Sequence, residues 1–294
     1  MKCVVYGGNG WIGSMVVEEL SKKAEHTVIV TSTRVDNISE IRRELTEYKP
    51  DRVISLIGRT SGAGIGTIDY LEQPGKLVEN VRDNLFGPIS LALICKEFDI
   101  HFTYLGTGCI FSYDDEHIEG SGKGFTEASE PNFFGSSYSI VKGYTDRLMH
   151  LLPSSLNLRI RMPISSEDHP RDFITKIKNY EKVVNIQNSM TVLPTLIPCM
   201  VSLVERGITG TVNLTNPGTI SHNEILEMHK KYSDRDYEWK NFTIEEQDKI
   251  LASKRSNNEL DNSVLTGLCP DVLDIKEAVE KFRFNGGIYN DSNM

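Results

Sequence analysis

The sequence predicts an α/β protein with a Rossmann-type, doubly wound parallel sheet and a smaller, irregular C-terminal domain. A strand-like run at 2–6 leads into a glycine-rich turn and a helical pattern. Strand-like and helical runs then alternate up to about residue 160, after which the alternation fades. We therefore expect one domain at 1–162 and a second at 163–294, from which a strand at 211–214 could return to the main sheet.

Composition excludes several classes of function. The chain has 294 residues, of which 39% are hydrophobic, and a formal net charge of −9. A negative protein lacks the positive field that nucleic acids and anionic membranes need. No run approaches the roughly 20 apolar residues of a membrane span, and no signal-peptide pattern is seen, so we expect a cytoplasmic location. The cysteines at 3, 95, 109, 199 and 269 form no CxxC pair and no Cys/His cluster, so neither disulfides nor a metal site are expected.

The turn after the first strand is Gly7-Gly8-Asn9-Gly10-Trp11-Ile12-Gly13. Glycines in a G-x-x-G-x-x-G pattern let the backbone approach a pyrophosphate at a helix N-terminus, where free N–H groups and the dipole favour anions. The alternative is an ordinary glycine-rich loop. Because the turn lies between a strand and a helix, we predict a dinucleotide site. The residues assigned to it are Gly7, Asn9, Gly10, Trp11, Ile12 and Gly13.

The end of the second predicted strand suggests which dinucleotide is bound. Arg34 lies there, and arginine can pair with the 2′-phosphate of NADP(H), whereas NAD sites usually carry a carboxylate. Arg34 therefore favours NADP(H), and Asp36, two residues later, keeps NAD(H) possible. Alternatively, Arg34 is a solvated turn residue. Gly58 and Pro163 follow two further predicted strands and are assigned to the same cofactor site.

A long helix is predicted at 75–98, disturbed near Gly87-Pro88 because proline lacks the donor of the helical hydrogen bond. Asn84 lies just before the disturbance. Its amide could hold a water in a site or brace a bent helix, and the sequence leaves both roles open.

Four reactive side chains are predicted to meet in one pocket. A strand at 101–106 leads to Thr107 and Cys109, and a helix at 136–150 presents Tyr138 and Lys142 one turn apart on one face. A positive charge beside a phenol favours the phenolate, so we expect Lys142 to lower the pKa of Tyr138. The alternative is a solvated helix face. The polar run at 112–132 is expected to be an exposed excursion that covers the site.

These motifs, in this order, resemble the extended short-chain dehydrogenase/reductase family over nearly the whole chain. Six further runs resemble the bifunctional nucleotide-rhamnose synthases, the 3,5-epimerase/4-reductases of plants and some large viruses, which are related to dTDP-4-dehydrorhamnose reductase. The runs are Thr107-Gly108-Cys109-Ile110-Phe111, Arg161-Met162-Pro163-Ile164, Phe173-Ile174-Thr175-Lys176, Asn188-Ser189-Met190-Thr191, Ser221-His222-Asn223-Glu224-Ile225-Leu226 and Arg255-Ser256-Asn257-Asn258-Glu259-Leu260.

The resemblance implies 3,5-epimerisation and NADPH-dependent 4-reduction of a nucleoside-diphospho-4-keto-6-deoxy-glucose, with UDP favoured over dTDP, to the β-L-rhamnose product. By position, Thr107, Tyr138 and Lys142 match the family's reduction residues, and Cys109 and Lys176 match its acid/base pair for epimerisation. The alternative for Cys109 is a small buried hydrophobe, and for Lys176 a solvated helix face.

Five polar side chains are candidate contacts for the nucleotide sugar. Arg255, Asn188 and Asn258 are candidate contacts, with capping or loop bracing as the alternative, and Arg59 and Asn84 complete the set. The glycine-rich loop around Arg59 departs from the plant sequences and is closer to the viral form.

The resemblance also implies a homodimer and a separate 4,6-dehydratase that supplies the ketosugar. Two other functions fit the same residues. One is a 4-reductase that acts on an already epimerised ketosugar, and the other is a non-catalytic regulatory subunit on the same fold.

Overall fold

The computed structural model of the protein describes residues 1–62 and 64–284. The tail at 285–294, which the sequence predicts to fray, lies outside the described residues. The strands are β1 Lys2–Tyr6, β2 Thr27–Thr31, β3 Arg52–Ser55, β4 His101–Thr107, β5 Ser155–Ile160, β6 Pro163–Ile164, β7 Lys182–Val183, β8 Thr191–Val192, β9 Gly210–Asn213 and β10 Lys240–Asn241.

Six of these strands form one parallel sheet in the order β2-β1-β3-β4-β5-β9. The chain leaves β1 towards β2 on one side and returns to β3 on the other, which makes the carboxyl ends of β1 and β3 a switch point where α/β proteins bind ligands. The predicted fold class, a doubly wound parallel sheet of the Rossmann type, is confirmed.

Helices flank the sheet and build the second half of the chain. They are α1 Trp11–Ser21, α2 Ile38–Tyr48, α3 Leu77–Val81, α4 Gly87–Glu97, α5 Ser137–Met149, α6 Phe173–Lys178, α7 Leu193–Glu205, α8 His222–Tyr232, α9 Ile244–Ile250, α10 Ser263–Leu268 and α11 Ile275–Val279. None of those in the described part of the chain is long and apolar enough to cross a bilayer.

The predicted disturbance of the long helix is a π-helical turn, Arg82–Phe86, between α3 and α4. The π turn ends where Gly87 and Pro88 begin α4. Proline lacks the N–H donor of the helical hydrogen bond, so the disturbance lies where the sequence predicted it. Single π turns inside α-helices are frequent at functional sites.

Apolar side chains form a layer on each face of the main sheet. On one face, Val16 and Leu20 of α1 pack with Leu203 of α7, and on the other, Ile41 of α2 packs with Leu91 of α4. The C-terminal half has its own core, in which α6, α8 and α11 pack around β6 and β8.

One strand of the second half extends the main sheet, and one helix packs on the helical layer that covers it. β9 pairs in parallel with β5, with Leu156 opposite Gly210 and Arg159 opposite Asn213, and α7 packs against α1. A domain boundary at 162/163 therefore remains a prediction, because the chain crosses back after residue 190 to complete the first layer.

A disulfide joins Cys199 in α7 to Cys269 just after α10, so the expectation of no disulfide is wrong. The two residues are 70 apart in sequence, and the fold brings their Cα atoms to 6.3 Å. Cysteine spacing detects local pairs only, and α10 itself was not predicted, so no pattern in the sequence pointed to this contact. Cys3 and Cys95 are buried free thiols.

Candidate active site

The glycine turn brings the N-terminus of α1 against the end of β1. Gly7 has φ +82°, a conformation that side chains with a Cβ rarely adopt, and the Gly10 amide donates to the Gly7 carbonyl at 3.0 Å. A Cβ on Gly13 would lie 2.1 Å from that carbonyl oxygen. This close-packed turn fits the pyrophosphate of a dinucleotide, since it leaves the first amides of α1 without helical partners.

Asn84 braces the loop that follows β3. Its Oδ1 accepts from the Arg59 amide at 2.8 Å, and its Nδ2 donates to the Arg59 carbonyl at 2.8 Å and to Asn80 Oδ1 at 2.9 Å. Thr145 of α5 donates to the Asn84 carbonyl. These contacts support the bracing role, because they fix the loop from Gly58 onward to the π turn, and a role for Asn84 at the substrate stays a prediction.

The end of β4 and the start of α5 are tied together by short polar contacts. The Cys109 amide donates to Thr107 Oγ1 at 3.0 Å, and Ser139 Oγ donates to the Cys109 carbonyl at 2.7 Å. Ser136 caps α5 by accepting from the Ser139 amide at 3.0 Å. The structure thus brings Thr107 and Cys109 to the first turn of the helix that carries Tyr138.

The phenol of Tyr138 holds its proton more tightly than a free tyrosine. Burial raises the pKa of Tyr138 well above 10, the nearby Cys109 thiol raises it further, and a hydrogen bond with Thr107 lowers it. Lys142 instead donates to the hydroxyl of Tyr104, a residue of β4. Lys142 thus engages Tyr104 rather than Tyr138, and the pKa of Tyr138 is raised in this arrangement. An effect of Lys142 on the phenolate stays a prediction.

Lys142 is a buried amine whose described hydrogen-bond partner is a neutral group. Its Nζ lies 4.5 Å from the centre of the Tyr104 ring and donates to that residue's hydroxyl. Burial lowers the pKa of Lys142 to about 7, while Asp146, one turn further along α5, acts in the opposite direction. Asp146 is itself bound by the fully buried Arg159, at 2.9 Å to Nε and 2.7 Å to Nη2.

The loop after β3 covers Tyr138. Within it, a short 3₁₀ helix, Ile68–Glu72, packs Tyr70 and Leu71 against Tyr138, and Cys109 lies in the same cluster. Glu72 also accepts from the Ser137 amide at 2.8 Å. The excursion at 112–132, which was expected to cover the site, instead packs Phe125 on Phe111 and pairs with Leu260.

Lys176 and Arg255 belong to a neighbouring polar group. Burial lowers the pKa of Lys176, and the positive charges of Arg171 and Arg255 lower it further. Arg255 forms an ion pair with Asp69, which lies in the 3₁₀ helix that covers Tyr138. Burial alone would raise the pKa of Asp69, but hydrogen bonds, first that from Arg255, lower it to about 2. Arg255, whose charge acts on Lys176, is thus tied through Asp69 to the covering helix.

Asn188 and Asn258 are fully buried and bonded to protein groups. Asn188 Oδ1 accepts from Arg161 Nη2 at 2.6 Å and from the Asn258 amide, and Asn258 Nδ2 donates to the Gly108 carbonyl at 3.0 Å. Arg161 also donates to the Gly108 carbonyl, at 3.0 Å. These contacts support the bracing alternative for both asparagines, which hold the turn between Thr107 and Cys109.

The remaining candidates lie around the glycine turn. Trp11 stacks on His169, from the loop before α6, with ring centres 4.8 Å apart, which joins the turn to the second half of the chain. Pro163 begins β6 and pairs with Thr191. Arg34 is largely exposed and pairs with Asp36 at 3.2 Å. A role for each in cofactor binding stays a prediction.

Sequence reasoning missed Tyr104, Tyr70 and Asp69. A tyrosine inside a buried strand, such as Tyr104, needs a hydrogen-bond partner for its hydroxyl, and that was the one signal available. Tyr70 and Asp69 lie in a loop without periodic pattern, so their place over Tyr138 and beside Arg255 depends on contacts between distant parts of the chain.

Comparison with known proteins shows the family of the chain. Residues 3–164 match the model of the NAD dependent epimerase/dehydratase family. The chain is 52% identical to the L780 protein of Acanthamoeba polyphaga mimivirus over 289 residues, which are 97% of this chain and 99% of that one. The crystal structure of the L780 UDP-rhamnose synthase superposes with a TM-score of 0.91 and covers 96% of this chain and 99% of that chain.

Two relatives from Arabidopsis thaliana are also similar along most of the chain. A bifunctional dTDP-4-dehydrorhamnose 3,5-epimerase/dTDP-4-dehydrorhamnose reductase is 43% identical over 282 residues, which are 96% of this chain and 92% of the relative. The trifunctional UDP-glucose 4,6-dehydratase/UDP-4-keto-6-deoxy-D-glucose 3,5-epimerase/UDP-4-keto-L-rhamnose-reductase RHM2 is 42% identical over 285 residues, which are 97% of this chain and 42% of the relative. The chain therefore belongs to the NAD dependent epimerase/dehydratase family, and its resemblance to the bifunctional epimerase/reductases is confirmed.

Proposed function

We propose that the protein converts a nucleoside-diphospho-4-keto-6-deoxy-glucose, in the UDP form by preference, to the β-L-rhamnose product by 3,5-epimerisation and NADPH-dependent 4-reduction. The observation that carries the proposal is the Cys109 thiol packed beside Tyr138 under one cover. A reductase needs the tyrosine but has no use for a thiol there. The names of relatives at 42–52% identity over nearly the whole chain support both activities.

In the reduction, NADPH supplies a hydride to C4 of the ketosugar. The chain supplies the proton: Tyr138 donates it to O4 as the C=O bond becomes C–OH. Its raised pKa keeps the phenol protonated at neutral pH, and the neighbouring Thr107, which lowers that pKa, favours the phenolate as the proton leaves. Lys142, when protonated, places a positive charge in the same buried space, which favours the transient phenolate.

In the epimerisation, the C4 ketone acidifies the protons on C3 and C5. Inversion at each carbon requires one group to remove the proton and another to return a proton on the opposite face. We assign these roles to Cys109 and Lys176. Burial lowers the pKa of Lys176, which raises the fraction of neutral amine able to act as a base near neutral pH.

The proposal is tested by incubating the protein with UDP-4-keto-6-deoxyglucose. With NADPH present, NMR should identify UDP-β-L-rhamnose. In D₂O without NADPH, deuterium should enter C3 and C5 of the ketosugar, and a lack of exchange would refute the epimerase half. Cys109→Ala should abolish exchange but retain hydride transfer to a pre-epimerised ketosugar, while Cys95→Ala, a buried free thiol in the core, serves as the matched control.

The two alternatives make different predictions in the same assay. A 4-reductase without epimerase activity would consume NADPH only with the pre-epimerised ketosugar and would show no exchange. A regulatory subunit would show neither reaction. The relatives give no support for either over the bifunctional reading.

We infer that NADP(H) is the preferred cofactor and that NAD(H) binds more weakly. The support is Arg34 after β2, whose side chain is more than half exposed and paired with the exposed Asp36, so its guanidinium is accessible to a 2′-phosphate. Comparing kcat/KM for NADPH and NADH tests this preference, which fails if NADH is used equally well.

We also propose a homodimer and a separate 4,6-dehydratase activity that supplies the ketosugar. Exposed apolar side chains lie on α3, on α4 and on the neighbouring α5, and such patches mark protein interfaces. They are Leu77, Val78, Val81, Leu93, Tyr144 and Leu148. Sedimentation of the wild type and of Val78→Glu tests the dimer, which the substitution should dissociate. The cytoplasmic location stays a prediction.

A further inference from the structure

Three arginines from separate segments converge on Asp83. Arg82 Nε lies 2.7 Å from Asp83 Oδ1, Arg59 Nε lies 2.6 Å from Oδ2, and Arg34 Nη2 lies 3.7 Å from Oδ1. The carboxylate is buried, whereas each arginine side chain is 30% exposed or more. We call Arg34, Arg59 and Arg82 the arginine cluster.

Asp83 is charged but does not neutralise the cluster. Burial alone would raise the pKa of Asp83, yet hydrogen bonds from Arg82 and Arg59 lower it below the ordinary range. The surrounding carboxylates do not complete the neutralisation. Asp36 pairs with Arg34, and Glu79, 3.5 Å from Arg59, is shared with Lys76, so four cations face three carboxylates.

The position of the cluster points to the adenosine end of a dinucleotide. Arg34 follows β2, Arg59 follows β3, and these two strands flank β1, whose carboxyl end begins the glycine turn. In Rossmann folds the adenosine ribose lies at this end of the second strand. Arg82 enters from the π turn, the one irregular turn between α3 and α4, which brings it and Arg34 to the same carboxylate oxygen.

We propose that Arg82 binds the 2′-phosphate of NADP(H) together with Arg34, and that Asp83 is the positioning residue that holds these guanidinium groups in place. This inference rests on the proposed preference for NADP(H). Guanidinium groups bind phosphate through paired, charge-assisted hydrogen bonds, which require a fixed orientation. The buried carboxylate of Asp83 fixes that orientation, and the exposed sides of Arg34 and Arg82 remain open to the ligand.

The test measures binding of 2′,5′-ADP and 5′-AMP to the whole protein by calorimetry. The two ligands differ by the 2′-phosphate. Arg82→Gln should weaken 2′,5′-ADP about tenfold or more, as expected for a lost charge-assisted hydrogen bond, and should change 5′-AMP less than about twofold. Arg42→Gln, on α2 and paired with Glu97, is the control and should change neither affinity.

Asp83→Asn separates positioning from simple electrostatics. It removes a negative charge beside the phosphate, so electrostatics alone predicts tighter binding of 2′,5′-ADP, whereas loss of positioning predicts weaker binding. We expect weaker binding by about fivefold or more, with the 5′-AMP affinity kept. Tighter or unchanged binding would overturn the role of Asp83.

The remaining outcomes are also decisive. Equal weakening of both ligands by Arg82→Gln, or no weakening, would overturn the assignment of Arg82, even if Asp83→Asn does not fold. If the wild type binds 2′,5′-ADP no more tightly than 5′-AMP, the NADP(H) preference itself fails. Epimerase activity, measured by deuterium exchange without cofactor, is independent of all these results.

Discussion

Replacing Tyr104 by Phe tests how the buried amine of Lys142 keeps its charge. Tyr104 accepts the hydrogen bond of Lys142, and both side chains are buried. The variant removes the hydroxyl but keeps the aromatic ring, whose centre lies 4.5 Å from Nζ. Other groups that face Lys142 are Asp146, which Arg159 already engages, and Cys109.

The size of the effect follows from the lost hydrogen bond. A bond to a charged group contributes about 1.5–3 kcal/mol, and about 1.4 kcal/mol corresponds to one pKa unit. The variant should therefore lower the pKa of Lys142 by about one unit or more from its value of about 7. At pH 7 the protonated fraction then falls from about half to about a tenth, and the reduction rate should fall about fivefold.

The assay is the pH dependence of kcat/KM for reduction of a pre-epimerised ketosugar. If reduction needs protonated Lys142, the rate declines as pH rises through the pKa, and in Tyr104→Phe this decline should move about one unit towards acid, with recovery below pH 6. Tyr6→Phe, which removes another buried hydroxyl that bonds Glu44 in the same core layer, should leave the profile in place. A uniform loss at every pH, or an unmoved profile, would refute the role of Tyr104.

Three further predictions concern the stability of the fold and the assignment of separate residues to epimerisation and reduction. Burial lowers the pKa of Lys142 from 10.5 to about 7, so its charge destabilises the fold fully below pH 7 and less as pH rises towards 10. Lys142→Met should therefore raise the free energy of unfolding at pH 6 by up to about 5 kcal/mol, at about 1.4 kcal/mol per pKa unit. An unchanged melting temperature at pH 6 would contradict this. Lys176→Met should abolish deuterium exchange but retain reduction. The control Lys178→Met, on the same helix but paired with Asp168, should retain both activities. Exchange that survives in Lys176→Met would show that Lys176 takes no part in the epimerisation. Cys199→Ser should lower the free energy of unfolding by up to about 4 kcal/mol, the loop-closure value for 70 residues. A reductant should lower the free energy of unfolding of the wild type but not that of the variant.

The sequence predicted those parts of the fold that depend on local patterns. The helix expected at 136–150 is α5, Ser137–Met149, and the glycine turn lies where its spacing and its neighbours placed it. Thr107, Cys109 and Tyr138 also meet as expected, because the carboxyl ends of parallel strands share one edge of a sheet. Local periodicity was sufficient in these cases.

Contacts between distant segments were beyond such patterns. The bond from Lys142 to Tyr104 joins residues 38 apart, and the arginines at Asp83 come from three segments. The cover over Tyr138 was assigned to the wrong loop, since polarity identifies an exposed segment but not the surface on which another loop folds. The disulfide was missed for the same reason.

Burial suits both proposed half-reactions: the loop after β3 covers Tyr138, and Lys176 is partly buried near Arg255, which Asp69 of that loop holds in an ion pair. Burial disfavours charge, so it raises the pKa of an acid and lowers that of an amine. Tyr138 thereby keeps the proton that the reduction requires, while Lys176 gains the neutral amine that proton removal from carbon requires. Opening the cover should therefore impair both reactions together. Asp69→Asn, which weakens the ion pair with Arg255, should lower exchange and reduction alike, whereas loss of exchange alone would mean that the cover serves only the epimerisation.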